Sequence, residues 1–402
     1  MSLSSLAFMT RTGGYTTTLA NKLDKIDCSQ VLAAVLLKDT ALLGQIKVGK
    51  AGTTIEHNWI EDELNSPYFY AKAAASTKVT IIATKGITTA MVANIARKYA
   101  LVQPRGSEWV AQLTGTNSNG ITCATYGKTT GRFAAVTTVT KFWVVAQPWA
   151  DNVDASSDIS KSRTKQKNFY TVFERAIEIT QTRENMDMEA VVNELQLQIQ
   201  NRTYEIKREL NISLLRSIAY YSSGYSGRKE RSTMSGIEQF LLDPDWDGTE
   251  EKFTVLDAGT NAALLAGHIN SLANMLYGFG GMDERSDCIL LCPPNQARVI
   301  SAMEKELRRV TQTERQAGYY RDRFITDLGY ELPIVIDRFA SDDKIYILDK
   351  SRLALIPMAG DAWHLEKMAK TGRSQKWQLS GQYTLEMRNP DKCHGMVIDL
   401  AP

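Results

Sequence analysis

An acidic segment is the clearest candidate for metal chemistry in the sequence. DPDWDG places carboxylates at Asp243, Asp245 and Asp247 and a glycine at Gly248, as in the first half of a calcium-binding loop. The twelfth position of such a loop supplies a bidentate glutamate, but here that position is Thr254. We therefore interpret the segment as a solvated acidic loop, with calcium binding as the alternative.

The segment GKTTG, which begins at Gly127, invites comparison with a phosphate-binding loop. Such a loop needs four residues between its two glycines and a helix directly after it. Six residues separate Gly120 from Gly127, and the following FAAVTTVTKFWVV is typical of a strand. A β-turn therefore explains the segment better than a phosphate site.

The cysteines and histidines form no recognisable catalytic pattern. Cys288 and Cys292 fall on the same side of a predicted strand, but no second Cys or His pair lies nearby to complete a zinc site. We expect them to be buried core thiols. The histidines stand alone, without HExxH spacing or a G-x-S-x-G elbow; they are His57, His268, His364 and His394. The sequence thus predicts no catalytic residue and no cofactor.

A basic segment, KSRTKQKNFY, could contact nucleic-acid phosphates or an acidic patch on a neighbouring subunit. Its basic and aromatic residues are Lys161, Arg163, Lys165, Lys167, Phe169 and Tyr170. A solvated hinge explains the segment equally well. With so few charges, the salt-dependent part of phosphate binding would be modest.

Composition excludes several classes of protein. The chain has 402 residues, a net charge of +2 and 43% hydrophobic residues, which is typical of globular proteins with two or three structural units. Near-neutral charge argues against a dedicated nucleic-acid binder. Three features predict a chain that folds in the cytosol without a membrane partner. The five cysteines are dispersed, the N-terminus does not resemble a leader, and the longest apolar run, Val31–Leu37, is short.

The elements that must position these residues follow an unusual order. Residues 1–50 are rich in Thr and Ser, which indicates an extended arm, with a frayed terminus as the alternative. From Lys78 to Ala146, β-rich runs alternate with turn clusters and predict a small β unit. The flanking segments SPYFYAKAAAS and DNVDASSDISKSR have the composition of two hinges.

The second half of the chain predicts one long helix followed by two further regions. Apolar residues recur in steps of three and four from about Asp187 to Tyr221, which predicts a helix of about 50 Å. Residues 235–345 alternate helix and strand, including a helix over 261–277 and another over 294–310, and indicate an α/β-like lobe. From Arg352 onward the pattern is again that of strands.

Several stretches also resemble motifs of one protein family. TIEHNWIEDELN (54–65) is similar to an aromatic and acidic segment of that family, and RTKQKNFYTVFERAIEIT (163–180) to its strand before a long helix, although the family's Gln is missing. Glu205, Arg208 and Glu209 resemble its E-x-x-R-x-x-E helix in altered spacing. The stretch 366–389 and the closing MVIDL resemble its C-terminal ending. The family is that of the major capsid proteins of tailed bacteriophages, with the Hong Kong 97-type fold.

This resemblance implies an α+β fold of the Hong Kong 97-like phage capsid type with a small β insertion. It implies the following division of the chain: 1–50 N-terminal arm, 51–66 start of the peripheral domain, 67–160 extended loop region with the β-rich insertion, 161–235 peripheral domain with the spine helix, 236–345 axial domain, and 346–402 C-terminal strands of the peripheral domain.

The resemblance also implies a structural protein of the virion rather than an enzyme. A major capsid protein self-assembles into the icosahedral head shell that encloses the double-stranded DNA genome of a tailed phage. The expected partners are copies of itself in hexamers and pentamers, a separate scaffolding protein, portal and decoration proteins, and the packaged DNA, with assembly in the host cell cytoplasm. Two alternatives stay open: an encapsulin-like cellular nanocompartment shell protein, and an α/β enzyme that uses the 236–345 lobe.

Overall fold

The computed structural model of the protein describes residues 40–62, 64, 67–74, 78–81, 96, 98–106, 110–117, 120–125, 136–148, 151, 163–184, 194–222, 231–242, 254–283, 286–303, 323–370 and 372–402. Its strands are β1 (Lys47–Val48), β2 (Glu56–Glu61), β3 (Tyr68–Ala74), β4 (Lys78–Ile81), β5 (Leu101–Pro104), β6 (Ala111–Asn117), β7 (Gly120–Thr125), β8 (Val136–Ala146), β9 (Thr164–Phe169), β10 (Thr171–Thr180), β11 (Tyr220–Ser222), β12 (Arg231–Thr233), β13 (Val255–Ala262), β14 (Cys288–Cys292), β15 (Arg323–Ile325), β16 (Glu331–Ile336), β17 (Ile345–Asp349), β18 (Leu353–Pro357), β19 (His364–Lys367), β20 (Ser374–Met387) and β21 (Gly395–Leu400). Its α-helices are α1 (Gln181–Glu184), α2 (Glu194–Arg216), α3 (Ile237–Leu241), α4 (Ala266–Gly278), α5 (Pro294–Ala302) and α6 (Pro390–Cys393).

The chain divides into two compact units, and the boundaries between them fall inside β10, α2, β19 and β20. Among the described residues, the smaller unit contains 174–184, 194–206, 365–370 and 372–379. The larger unit contains the remaining described residues, and it holds every site considered below.

In the smaller unit, ion pairs connect strand and helix side chains. Glu205 on α2 lies 2.6 Å from Arg202 Nη1 and 3.9 Å from Arg175 Nε on β10. On β20, Ser374 Oγ donates to Glu178 Oε1 over 2.6 Å, and Lys376 Nζ lies 3.3 Å from the other carboxylate oxygen. These side chains are partly exposed, so each pair contributes little to stability by itself.

The first feature of the larger unit is a closed six-stranded barrel with strand order β3-β4-β7-β6-β5-β8. Phe69 and Phe142 stand opposite each other on β3 and β8, and their stacked rings are fully buried inside. The barrel confirms the β unit predicted between Lys78 and Ala146. The prediction of a hinge before it is wrong, because Tyr68–Ala74 of SPYFYAKAAAS is the strand that closes the barrel against β8.

The second feature is a six-stranded sheet with strand order β13-β21-β17-β14-β16-β15. Its central strand β14, CILLC, is buried along its whole length, which explains its uninterrupted apolar sequence. Helix α4 packs on this sheet through four buried side chains, those of Ile269, Leu272, Ala273 and Leu276. The predicted alternation of helix and strand is thus confirmed for the described residues, although residues 261–262 belong to β13 rather than to the helix. Residues 304–310 of the second predicted helix lie outside the described residues. The last strand of the chain, β21, lies between β13 and β17. The sheet therefore combines strands from the region predicted as the axial domain (236–345) with a strand from the region predicted as C-terminal strands (346–402).

The long helix α2 is described from Glu194 to Arg216, and residues 187–193 of the predicted helix lie outside the described residues. The prediction that it continues to Tyr221 is wrong, since 220–222 form β11, which pairs with β12. Ile218 continues the apolar spacing but is 69% exposed. Gly236 N–H donates to the carbonyl of Ser217, so the chain leaves the helix there. No helix among the described residues is long and apolar enough to span a membrane.

Candidate functional site

Two of the predicted sites cannot be placed. The acidic loop with Asp243, Asp245 and Asp247 and the glycine turn at Gly127 lie outside the described residues. Calcium binding by the acidic loop therefore stays a prediction. Within the described part of the chain, no group of three or more His, Cys, Asp or Glu side chains could hold a metal ion.

The cysteines on β14 belong to the core of the six-stranded sheet. Cys288 is 7% exposed and Cys292 is fully buried. Burial raises the pKa of each thiol to about 12. Both are therefore protonated at neutral pH and are weak nucleophiles and weak metal ligands.

The sequence predicts that His57 stands alone, and this prediction is wrong. His57 pairs with a carboxylate more than 300 residues away in the sequence. His57 Nε2 on β2 lies 2.6 Å from Glu386 Oε2 on β20. Arg388 Nε donates to the other oxygen of Glu386 over 2.5 Å. The hydrogen bond from His57, followed by that from Arg388, lowers the pKa of Glu386, whose side chain is 6% exposed. The arrangement is a satisfied hydrogen-bonded pair that connects two strands.

His394 and His268 are held by backbone contacts. His394 is fully buried, and its Nδ1 accepts a hydrogen bond from Asp349 N over 3.2 Å. Burial lowers the pKa of His394 to about 4, so the ring is neutral at physiological pH. His268 lies in the first turn of α4, where its Nδ1 faces Leu265 N at 3.4 Å.

His364 has a polar partner at each ring nitrogen, so the prediction that it stands alone is also wrong. Its Nδ1 lies 3.3 Å from Asp361 Oδ1, and its Nε2 lies 3.2 Å from Ser380 Oγ. The three-residue spacing between Asp361 and His364 is a local signal in the sequence that could have indicated their contact. Ser380 could be added only with the pairing of β19 and β20.

The basic segment forms β9, which pairs antiparallel with β2. Arg163 Nε lies 3.2 Å from Asp62 Oδ2, and Lys167 Nζ lies 3.7 Å from Glu56 Oε1. Lys165 stands opposite Ile60 in the register. Carboxylates of the same chain thus neutralise part of the basic segment, and Lys161 lies outside the described residues.

The C-terminal end of the predicted N-terminal arm, residues 1–50, is anchored to the long helix. Asn211 Oδ1 on α2 accepts a hydrogen bond from Leu43 N over 3.0 Å, and Asp337 Oδ2 accepts one from Leu42 N over 3.3 Å. Leu42 is fully buried, and Ile46 is 7% exposed. Residues 42–46 are therefore fixed to the folded subunit, and we call this segment the root of the predicted arm.

Many large apolar side chains of the larger unit are more than half exposed. They are Val48, Ile55, Ile60, Leu64, Val145, Val172, Ile218, Tyr220, Leu265, Tyr277 and Ile325. Single exposed apolar residues are ordinary on a protein surface. These residues are spread over several elements, and contact with other chains would bury such side chains.

Comparisons with known proteins agree with this interpretation. Residues 11–401 match the family model of the SU10 major capsid protein. The capsid of a native GTA particle is similar in structure, with a TM-score of 0.55, 9% identity, and coverage of 96% of this chain and 100% of that chain. The capsid of cyanophage A-1(L) has a TM-score of 0.56, 12% identity, and coverage of 95% and 98%.

A further likeness is to the SrpI encapsulin of Synechococcus elongatus, with a TM-score of 0.41, 10% identity, and coverage of 59% of this chain and 76% of that chain. A TM-score below 0.5 does not establish a shared fold. No curated protein matches the sequence.

Proposed function

The chain belongs to the SU10 major capsid protein family, and from this we propose that its copies form hexamers and pentamers of a closed icosahedral shell. The protein is a phage major capsid protein with the Hong Kong 97-type fold, as the resemblance implied. The observation that carries this conclusion is the family match over residues 11–401, nearly the whole chain. The encapsulin alternative is not favoured, because that family model describes a capsid protein.

Several features of the larger unit support a role in a shell. Its exposed apolar side chains would be buried against neighbouring copies, and each such contact contributes about 25 cal/mol per Å² of apolar surface. The arm expected over residues 1–50 would reach a neighbour through its N-terminal part, because its C-terminal part is fixed to its own subunit at Leu42 and Leu43 and pairs with β18 at 47–48. An arm that becomes ordered only on assembly loses entropy at that step, which keeps single contacts weak and correctable.

We assign the barrel to the extended loop region and α2 to the spine of the peripheral domain. The six-stranded sheet corresponds to the axial domain expected over 236–345, to which its pairing adds β21. The remaining strands of the C-terminal region, β18 and β20, belong to the peripheral domain in this assignment. The lobe is a structural element rather than an enzyme domain, and its cysteines are core thiols.

The proposed contents of the shell are packaged double-stranded DNA, held by enclosure. The net charge of +2 limits repulsion among crowded copies and provides little general attraction for DNA. A separate scaffolding protein, a portal and decoration proteins complete the proposed set of partners. Assembly would take place in the host cell cytoplasm, and the product is the capsid of the virion.

Electron microscopy of the expressed chain, with a scaffolding protein where one is needed, tests this proposal. Shells or capsomer rings are the expected result, and nuclease-protected DNA in particles from infected cells is the expected content. A stable monomer under all conditions would contradict the assembly. Enzyme cargo in place of DNA would support the encapsulin alternative.

A further inference from the structure

Three polar side chains meet where β19 begins. His364 Nε2 lies 3.2 Å from Ser380 Oγ. On the other side of the ring, Nδ1 lies 2.9 Å from Ala362 O and 3.3 Å from Asp361 Oδ1. Because Nδ1 faces two acceptors, it carries the proton of the neutral imidazole. Nε2 then presents its lone pair to the hydroxyl of Ser380, which donates to it.

The backbone holds Asp361 in a tight turn that is tied to β20. Asp361 N–H donates to Met358 O over 3.1 Å, and Gly360 between them has a φ of 82°, as the third residue of a type II turn requires. Gln382 N–H donates to Asp361 O over 2.9 Å. The carboxylate therefore belongs to a fixed corner rather than to a loose loop.

An aromatic pair fixes the residue next to His364. Trp363 N–H donates to Tyr383 Oη over 3.1 Å, and the two rings are 4.8 Å apart. A Cβ on Gly381 would lie 2.8 Å from the Trp363 ring, so the indole lies directly on the backbone beside Ser380. Because neighbouring residues of a strand point to opposite faces, the ring lies on the other side of β20 from the Ser380 hydroxyl and holds the backbone there in place.

We propose that Ser380 and His364 are the catalytic residues of a surface site that hydrolyses small carboxylic esters, with Asp361 as the positioning residue. The roles are those of a serine–histidine–aspartate triad, which is recognised by geometry rather than by sequence position. A distance of 3.2 Å between nucleophile and base is within the range of such sites without substrate. This inference is independent of the shell function.

The reaction balances with water as the only co-reactant. Ser380 Oγ attacks the ester carbonyl carbon while its proton passes to His364 Nε2. The bond from carbon to the alcohol oxygen breaks, and the alcohol leaves with that proton, so that an acyl ester remains on Ser380. Water then attacks the acyl carbon and gives a proton to His364, and the acid leaves as the proton returns to Ser380. Asp361 stabilises the imidazolium in both steps.

The openness of the site defines the substrate class. The side chain of His364 is 44% exposed and that of Asp361 is 28% exposed. A shallow site of this kind suits esters with an activated leaving group, because it supplies little binding energy for a poor one.

The test uses the purified full-length chain with p-nitrophenyl acetate and with a fluorophosphonate probe. We expect a single covalent adduct that peptide mass spectrometry assigns to Ser380. Ser380→Ala should abolish the adduct, and His364→Asn should lower kcat by about 100-fold, the lower range for a lost general base. Asp361→Asn should lower kcat with little change in KM, whereas damage to substrate binding would raise KM.

Ser374→Ala is the matched control on the same strand. Ser374 Oγ donates to Glu178 Oε1, with no histidine in that contact, and the variant should keep the full rate and the adduct. Absence of an adduct at Ser380 in the wild-type chain would overturn the proposal, whatever the variants do. Ester hydrolysis by Ser380→Ala at the wild-type rate would also overturn it, and the trio would then be a cross-strand contact only.

Discussion

Asn211 and Asp337 meet side chain to side chain in the core of the larger unit, where Asn211 Nδ2 donates to Asp337 Oδ2 over 2.8 Å. Both residues are at most 1% exposed. The same two side chains accept the backbone N–H groups of Leu43 and Leu42. Removal of Asn211 therefore leaves the N–H of Leu43 without this acceptor and leaves the carboxylate of Asp337 with only the N–H groups of Leu42 and Phe339 as donors. The loss of two such hydrogen bonds is more costly than the loss of one exposed hydrogen bond.

Asn211→Ala should lower the free energy of unfolding by about 2 kcal/mol, because it removes one donor from a buried carboxylate and the acceptor of a part-buried N–H. Urea denaturation measures the change. The control is Ile212→Ala on the next residue of α2, which is 36% exposed. It should lower the free energy of unfolding by less than about 1 kcal/mol. Equal losses in the two variants would contradict a special role for the pair.

Deletion of residues 1–30 should leave the subunit folded and impair its assembly. The deletion ends well before Leu42 and Leu43, so the anchored root stays intact. Thermal unfolding followed by circular dichroism should match the full chain, while gel filtration and electron microscopy should show fewer shells. A chain with residues 1–30 in scrambled order separates the effect of arm sequence from that of arm length. Normal assembly of the truncated chain would show that the arm assignment is wrong.

Glu386→Gln should weaken the dependence of stability on acid pH. The folded-state pKa of Glu386 is lowered, so its ionised form stabilises the fold above the ordinary carboxyl pKa, and this contribution is lost as the pH falls through the lowered value. The variant lacks that loss, so its free energy of unfolding should fall less between neutral and strongly acidic pH. The exposed Glu366→Gln on β19 is the control and should follow the wild-type curve. Parallel curves for wild type and Glu386→Gln would contradict the prediction.

His394 should make the protein sensitive to a different pH range. Burial lowers the pKa of His394 from 6.5 to about 4. Between these two pH values the unfolded chain therefore binds a proton at this residue and the folded chain does not. Stability should fall between these two values, by at most about 3 kcal/mol. His394→Asn keeps an acceptor for Asp349 N and should flatten this part of the curve. His268→Asn, in which the partly exposed histidine of α4 is replaced, should leave the fall in place.

Gly281→Ala should destabilise the six-stranded sheet region. A Cβ at this position would lie 2.0 Å from Lys392 O and 2.8 Å from Cys393 Cα, both backbone atoms of α6. Overpacking against backbone should lower the free energy of unfolding by about 2 kcal/mol or more. Gly278→Ala is the matched control, because nothing lies within 4 Å of its added Cβ. Chemical denaturation of both variants decides, and a loss of similar size in Gly278→Ala would contradict this packing argument.

Local patterns predicted the elements better than their boundaries. The alternation in FAAVTTVTKFWVV was sufficient to predict a strand of the barrel. It could not show that Tyr68–Ala74, with its alanines, closes the barrel, since that depends on pairing with β8. Apolar spacing extended α2 as far as Ile218, but that side chain is exposed and the helix ends at Arg216. Gly236, which is distant in sequence, packs against the backbone of this last turn.

The polar contacts were less predictable, because most of them join distant segments. His57 and Glu386 are separated by more than 300 residues, and only the packing of β2 near β20 brings them together. Asp361 and His364 are three residues apart, and this spacing is visible in the sequence. Ser380 joins them only through the register of a strand pair, which one sequence does not determine.

The closed barrel has a consequence for how this capsid protein could change over time. The strand that enters it, β3, and the strand that leaves it, β8, are hydrogen-bonded neighbours, with Tyr68 opposite Trp143. All six strands pair within the barrel, and in the described part of the chain none of them pairs with a strand of another sheet. The barrel is therefore connected to the rest of the chain as a long loop would be. Its replacement by a short turn, or by a foreign domain with adjacent termini, would therefore change the chain at one point and leave the pairing of the other sheets as it is.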